Sequence, residues 1–548
     1  MHVVTNALVF LLAVIVSGFV ARLLSMRVPL PLLQIAIGAS LPYLGFDVDF
    51  DSHLFLLLFI PPLLFLDGWR IPKGAFFRDW RPILALSIDL VVCTVAGMGF
   101  LIHWLVPGMP LAVAFALAAI LAPTDPVAVS AITANSPLPS RLMHILEGES
   151  LLNDATGLVC FGFAVTAAMT GTFSPGSALA SFAMVTCGGV LVGVAVTWAI
   201  GRFNTLLVRR AGEEPGIQIL ISLLIPFAAY LAAERVHVSG ILAAAVAGIA
   251  MHYSELSDRP LPATRIQRMA VWDNVQTALN GVIFVLLGSQ LPRILRSLPD
   301  AAAAAGTGGP WHLAGYAVLI TLGLGALRFA WVWIAMLLTL FRASRRGEAR
   351  PMPQRGLLAV AAVAGVRGAI TLAGILTLPI LMPDGSAFPA RDAAIFLAMG
   401  VIVLSLLIAS VGLPLLTRVL TGIPEPVPGG GEGNARIAAA EAAIRRIEAL
   451  LARPPEDLAA TEVRAKAAMH LLELYRRRLV YGNPGGEGAA AMRQLNDIER
   501  RLFLEALDAE RDELYQLLRM HNLDDDLHRR LVREIDLMEE GMTRTDAH

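Results

Sequence analysis

Two acids stand where acids are expensive. Asp125 and Asp154 fall inside successive apolar stretches at about 111–133 and 144–170, each long enough to cross a membrane. A charged side chain at the centre of a spanning helix costs about 2.5–3.5 kcal/mol on insertion scales, and an intramembrane acid is by default a candidate for an ion or proton path. The neighbouring residues say which chemistry to expect. Asp125 lies in Ala122-Pro123-Thr124-Asp125-Pro126, where two prolines remove backbone donors and push the residues before them out of the helical region. Unwinding at Thr124-Asp125 would set free backbone carbonyls beside a carboxylate, the oxygen set that replaces the water of a hard cation such as sodium. Ser150 precedes Asp154 by four residues and so shares its helix face. The expected Na+ site is therefore Asp154, Ser150, Asp125 and Thr124, with Asn153 donating its amide to hold Asp125 or Asp154 in place. A carboxylate withdrawn from water takes up protons more readily. One group that binds either a proton or a cation, never both, makes an exchanger.

A second interruption, Gly365-Val366-Arg367-Gly368, falls in the apolar stretch at about 356–382. Arg367 and Glu149 would each be costly alone in such a core, so the expectation is a structural Glu149–Arg367 ion pair whose breakage leaves a buried unpaired charge.

The elements that must position these residues follow from composition. Hydrophobic residues make up 56% and charged residues 16% of the 548, and mean hydropathy is +0.66, which excludes an ordinary soluble domain. With roughly 20 residues per span, the sequence predicts an all-α polytopic membrane protein of about thirteen transmembrane helices. The spans lie near 3–24, 28–45, 52–68, 83–106, 111–133, 144–170, 176–201, 216–233, 238–251, 272–291, 312–341, 356–382 and 393–417, and twelve is the competing count. The two interrupted spans are the fifth and the twelfth, an odd offset. Spans one to six and eight to thirteen would thus form two inverted repeats with broken crossing helices, the arrangement that surrounds a transporter's central site.

Loop charge gives an orientation. Odd-numbered loops carry 18 Lys and Arg, among them Arg22, Arg27, Lys73, Arg78, Arg259 and Arg350, whereas even-numbered loops carry 4. Cytoplasmic loops hold the basic residues, so the N-terminus is expected outside and the C-terminal tail in the cytoplasm. The first apolar stretch lacks a basic n-region and a small-residue cleavage site, and reads as a retained helix. Domain boundaries are expected at 1–420 for the membrane part, 421–434 for a Pro/Gly linker and 435–548 for a helical tail. That tail holds 18 basic against 24 acidic residues and shows apolar residues at helical spacing in about three segments divided at Pro454-Pro455 and at 482–488. Cys93, Cys160 and Cys187 all fall in spans as apolar filler.

Other charged residues read more plainly. Asp89 and Arg328 are expected as partnered charges lining a wet crevice, Asp67 and Glu147 as solvated residues near cytoplasmic mouths, Asp273 and His252 as interfacial, and His144 as a solvated neighbour of Arg141.

The motifs TDPVAV at 124–129, GESLLND at 148–154 and GVRGAITLA at 365–373, with the Pro pair of FIPPLLFLDGW at 59–69, resemble those of the monovalent cation:proton antiporters of the sodium/proton exchanger family, in their bacterial branch. The resemblance covers about 3–420. It implies that Asp154 is the cation- and proton-exchanging carboxylate, that Thr124, Asp125 and Ser150 help form the site, and that Glu149 and Arg367 pair. It also implies a homodimer whose core domain slides against a fixed dimer domain in alternating access. Asn153 in place of a second acid looks like the branch that exchanges one cation for one proton electroneutrally. The expected function is antiport of a monovalent cation, sodium first and lithium or potassium next, in the bacterial inner membrane, serving cytoplasmic pH and sodium homeostasis. The partners are the transported cation, the proton and the lipid bilayer, with no nucleic acid, no resident cofactor and no enzymatic role. An ion channel or a proton-coupled transporter of small organic substrates is the alternative. A channel would show repeated pore loops, and an organic substrate would want an aromatic site; the surroundings of Asp154 are small and aliphatic.

Overall fold

The computed structural model describes residues 2–23, 29–46, 52–71, 80–133, 140–171, 175–258, 261–304, 306, 309–345, 355–420, 429–452, 458–481, 489–520 and 525–543. Among them the chain is helical throughout, apart from one isolated antiparallel bridge between Leu381 and Ala387. It forms two compact units, Met1–Gly422 and Ile423–His548.

The first unit begins with α1 (His2–Leu23), α2 (Leu30–Ser40) and α3 (Ser52–Arg70). The short α4 (Trp80–Leu84) runs through a π-helical turn at Ala85–Asp89 into α5 (Leu90–Leu105). Next come the half-length α6 (Leu111–Leu121) and α7 (Pro126–Thr133), then the long α8 (Ser140–Thr170) and α9 (Pro175–Ala211). They are followed by α10 (Pro215–Arg235), α11 (Gly240–Asp258), α12 (Pro262–Arg296) and α13 (Leu298–Ala304). The unit closes with α14 (Pro310–Arg345), the half-length α15 (Arg355–Val363) and α16 (Ala369–Leu376), and α17 (Arg391–Leu420).

Among the described residues eight helices are long and apolar enough to cross a membrane, and three shorter apolar ones cover 30–44, 111–121 and 240–254. Thirteen spans do not separate on length alone, because the two interrupted spans divide into the short pairs α6/α7 and α15/α16. The outer faces of α1 and α9 are apolar and exposed, with Leu12, Phe19, Leu191 and Trp198 pointing outward, as lipid contact requires. Asp89 is exposed at the end of the π-helical turn. Asp273 is exposed and is held by Arg70.

The bases Arg27, Lys73, Arg78, Arg259, Arg346 and Arg350, linker residues 421–428 and the tail breaks at Pro454-Pro455 and 482–488 lie outside the described residues. The second unit contains α18 (Gly429–Leu451), α19 (Leu458–Tyr481), α20 (Ala489–Arg519) and α21 (Asp525–Thr543). Four helices therefore stand where about three segments were expected, and the first starts at Gly429, inside the expected linker. Arg511 of α20 ties to Asp536 at 3.0 Å and to Glu539 at 2.5 Å on α21.

Helix α3, which the Pro61-Pro62 pair interrupts without ending, packs along α11 and against α12. A side chain on Gly248 would overlap the Phe65 carbonyl of α3, and one on Gly68 would overlap the Ala245 carbonyl of α11. Small residues let membrane helices approach at backbone distance. Trp272 of α12 is fully buried, stacks on Phe65 with ring centroids 5.3 Å apart and donates its indole N–H to Ser222 at 3.1 Å. Forcing this seam open with Gly248→Val should cost about 1–3 kcal/mol. The detergent-solubilised melting temperature is expected to fall by several degrees; an unchanged value would mean that the seam yields freely.

Candidate functional site

The two broken helices meet at their breaks. Between α6 and α7 the chain unwinds over 122–125, and between α15 and α16 over 364–368. Each break satisfies backbone groups of the other. Asp125 donates its N–H to the Val366 carbonyl at 2.8 Å, and the Arg367 guanidinium donates to the carbonyls of Ala122 and, at 2.9 Å, of Pro123. The Arg367 backbone N–H goes to the Ser405 hydroxyl of α17 at 3.1 Å. Local chemistry explains the first break. Asp125 caps α7 by accepting from the Ala128 N–H at 3.2 Å, and Pro126 follows at the first helical position, where a missing N–H costs nothing. At the second break Gly368 lies so close to Asp125 that any β-carbon would overlap its carboxylate.

Helix α8 lays its polar face against this crossing. The Ser150 hydroxyl donates to the Thr124 carbonyl at 2.9 Å, and the Asn153 amide donates to the Thr124 hydroxyl at 3.1 Å, which itself donates to Glu149 at 3.3 Å. Asn153 therefore holds Thr124, not Asp125 or Asp154 as expected from sequence, because the unwound segment presents the threonine to it. The Asn153 side-chain oxygen is buried with no hydrogen-bond partner among the described residues. Asp154, 4% exposed, makes no hydrogen bond or ion pair among the described residues.

The expected Glu149–Arg367 pair is replaced by another. Glu149 receives a two-pronged ion pair from Arg328 of α14, Nη1 to Oε1 at 2.5 Å and Nη2 to Oε2 at 2.7 Å, while Arg328 Nε donates to the Ala361 carbonyl at 2.8 Å. Glu149 and Arg328 are 1% and 3% exposed. The fork of Arg328 fits the carboxylate edge-on; Arg367 is occupied by the two carbonyls that the first break leaves without helical donors.

A cavity of about 50 Å³ opens beside the crossing. A single water needs ~10–15 Å³, so the space admits a monovalent cation with part of its hydration. Thr124, Asp125, Ser150 and Asp154 line one side together with Gly368 and Thr371. Asp67 of α3 and Asn280 of α12 line the other. Asp67 is thus a correction: expected at a solvated mouth, it is a third carboxylate facing the same cavity, half-buried. Its sequence signal is its place about a turn and a half beyond the Pro pair in FIPPLLFLD. Asn280 carries no signal beyond being an amide within an apolar run. A separate cavity of about 240 Å³ is bordered by Arg328 and Arg367 and shares no residue with the acidic one. Among the described residues no cluster of three or more His, Cys, Asp or Glu is arranged to hold a metal ion as a resident ligand set.

Fold and site together define a multi-pass helical membrane transporter. The family model "Sodium/hydrogen exchanger, transmembrane" matches residues 8–419. The chain is 42% identical to the uncharacterized Na(+)/H(+) exchanger YjcE of Escherichia coli (strain K12) over 98% of both chains. It is 41% identical to the sodium, potassium, lithium and rubidium/H(+) antiporter of Bacillus subtilis (strain 168) over 76% of this chain and 62% of that one. The sodium proton antiporter MjNhaP1 of Methanocaldococcus jannaschii shares the fold with a TM-score of 0.57 at 17% identity, over 77% of this chain and 100% of that one. The chain belongs to the sodium/hydrogen exchanger family, and it is a cation/proton antiporter.

Removing one member of the buried pair should strand the other's charge, at about 3–5 kcal/mol. Glu149→Ala and Arg328→Ala are each expected to lower the melting temperature and the yield of folded protein, and Glu149→Gln combined with Arg328→Met to recover much of the loss. Normal stability in both single variants would exclude a structural role for the pair.

Proposed function

We propose that this chain exchanges one monovalent cation, sodium in the first place and lithium or potassium next, for one proton by alternating access. Asp154 is the carboxylate that carries either load. Asp125, Thr124 and Ser150 complete the cation's oxygen ligands, and Asn153 holds Thr124 in place. The observation that carries this reading is the convergence of Asp67, Asp125 and Asp154 on one small cavity at the crossing of two broken helices. The Thr124 carbonyl retains a second lone pair after accepting from Ser150, and the Ser150 oxygen keeps its lone pairs after donating, so both still have acceptor capacity for a cation. Cation and proton are cargo, and no resident cofactor enters the mechanism.

The same reading places the protein in the bacterial inner membrane, N-terminus outside and tail in the cytoplasm, as a homodimer whose core helices move against the dimer helices. The excess of basic residues in odd-numbered loops supports the orientation. The names of the Escherichia coli and Bacillus subtilis relatives support sodium, potassium and lithium as the cations to test.

Purified protein in liposomes with an imposed pH gradient and an internal pH dye tests the proposal. Sodium, lithium or potassium is expected to collapse the gradient in wild type and to do nothing in Asp154→Asn. No response of wild type to any of the three would redirect the reading to an organic substrate. One-for-one exchange predicts a rate that does not respond to membrane potential; a rate that scales with the potential would contradict it. Asp67→Asn is expected to raise the apparent KM for the cation several-fold while leaving the protein folded, whereas an unchanged KM would return Asp67 to the role of a solvated mouth residue.

A further inference from the structure

The wall of the acidic cavity built by α3 and α12 is apolar except at two points. Ile60, Leu63 and Leu64 line it beside Asp67 and Asn280. Asn280 sits in the middle of α12, just before a run at 281–290 that is almost wholly buried. Its amide is half-buried and, among the described residues, makes no hydrogen bond or ion pair. A side-chain amide at an apolar wall without a protein partner carries a desolvation cost. Its oxygen is free to face whatever occupies the cavity opposite Asp125 and Asp154.

We propose that Asn280 lends its side-chain carbonyl to the translocated cation and sets the preference among lithium, sodium and potassium. This rests on the exchange reading above. A neutral carbonyl supplies a ligand without supplying a charge, so it leaves the balance of one cation against one proton untouched. What it changes is the number and field strength of the oxygens around the ion, and those quantities discriminate sodium from potassium in other ion sites. An acid at this position raises the field and favours the smaller ions. An alanine removes the ligand and lets water take its place, which weakens binding and blunts the preference.

The test measures apparent KM and maximal rate for lithium, sodium and potassium in liposomes containing wild type, Asn280→Ala, Asn280→Ser or Asn280→Asp. Asn280→Ala is expected to raise the KM of the preferred cation about tenfold, the scale of one lost ligand at ~1.4 kcal/mol. Asn280→Asp is expected to shift the ratio of affinities toward lithium and sodium and away from potassium. Asn280→Ser keeps a small polar group should the alanine variant fold poorly, and is expected to lie between alanine and wild type. KM values and cation ratios within about twofold of wild type in every folded variant would overturn the proposal. Failure of exchange in wild type itself would overturn the antiport reading instead, and the two failures are distinct because only the second appears without any substitution.

Discussion

Everything at the centre of this molecule depends on what happens to backbone groups when two helices are broken inside a membrane. Hydrocarbon offers no donor or acceptor to an unwound segment, so each freed N–H and C=O must find a protein partner or line a wet cavity. The two breaks solve this jointly. Asp125 N–H meets the Val366 carbonyl, and Arg367 meets the carbonyls of Ala122 and Pro123. Ser150 meets the Thr124 carbonyl from a third helix. Neither break could stand without the other, and the approach has to be close enough that Gly368 admits no side chain beside Asp125.

The same crossing sorts charge. Asp67, Asp125 and Asp154 face one cavity, and Arg328 and Arg367 border a different one. Glu149 sits between these groups, committed to Arg328 and touched by the Thr124 hydroxyl. A hydrogen-bonded path thus runs from Asn153 through Thr124 and Glu149 to Arg328, so the geometry of the acidic cavity is braced from the basic side. Arg367 takes the carbonyl ends of the first break, where a cation is favoured because helix C-termini carry partial negative charge.

Much of this is legible in the chain because it is written in local rules. Two prolines around Thr124-Asp125 and two glycines around Arg367 announce breaks, and an aspartate followed by proline announces a helix start. The four-residue spacing of Ser150 and Asp154 fixes their common face. What escapes is tertiary reach. Arg328 and Arg367 are both long side chains in late spans, and nothing local decides which of them meets Glu149; only the tertiary arrangement that brings Arg328 within reach of it does. Asp67 escapes because hydropathy locates a span along the sequence but says nothing of which of its residues face a cavity, and Asp67 of α3 lines this one. Asn280 escapes because an amide in an apolar run is as often a solvated residue as a ligand, and only the cavity separates the two. Glycine content marks a break in helix without fixing where the next helix begins, and here helix runs from Gly429.

Charge balance explains why such a cavity should alternate between loads instead of holding both. Three carboxylates around about 50 Å³ cannot be carried through hydrocarbon with their full charge uncompensated, since burying unpaired charge is among the costliest steps a protein can take. A bound cation and a bound proton each supply one positive charge to the same oxygens. Either load lowers the uncompensated charge by one and makes the cavity cheaper to occlude than the empty, fully ionised state, and a proton on the carboxylate that holds the cation forfeits the attraction that bound it. Antiport then needs no separate coupling device: the cost of moving an unloaded acidic cavity is the coupling. On this view the basic cavity across the crossing contributes by lying elsewhere. Were Arg328 or Arg367 to face the three acids directly, a resident positive charge would compete with the transported one, and the cavity would hold either ion more weakly.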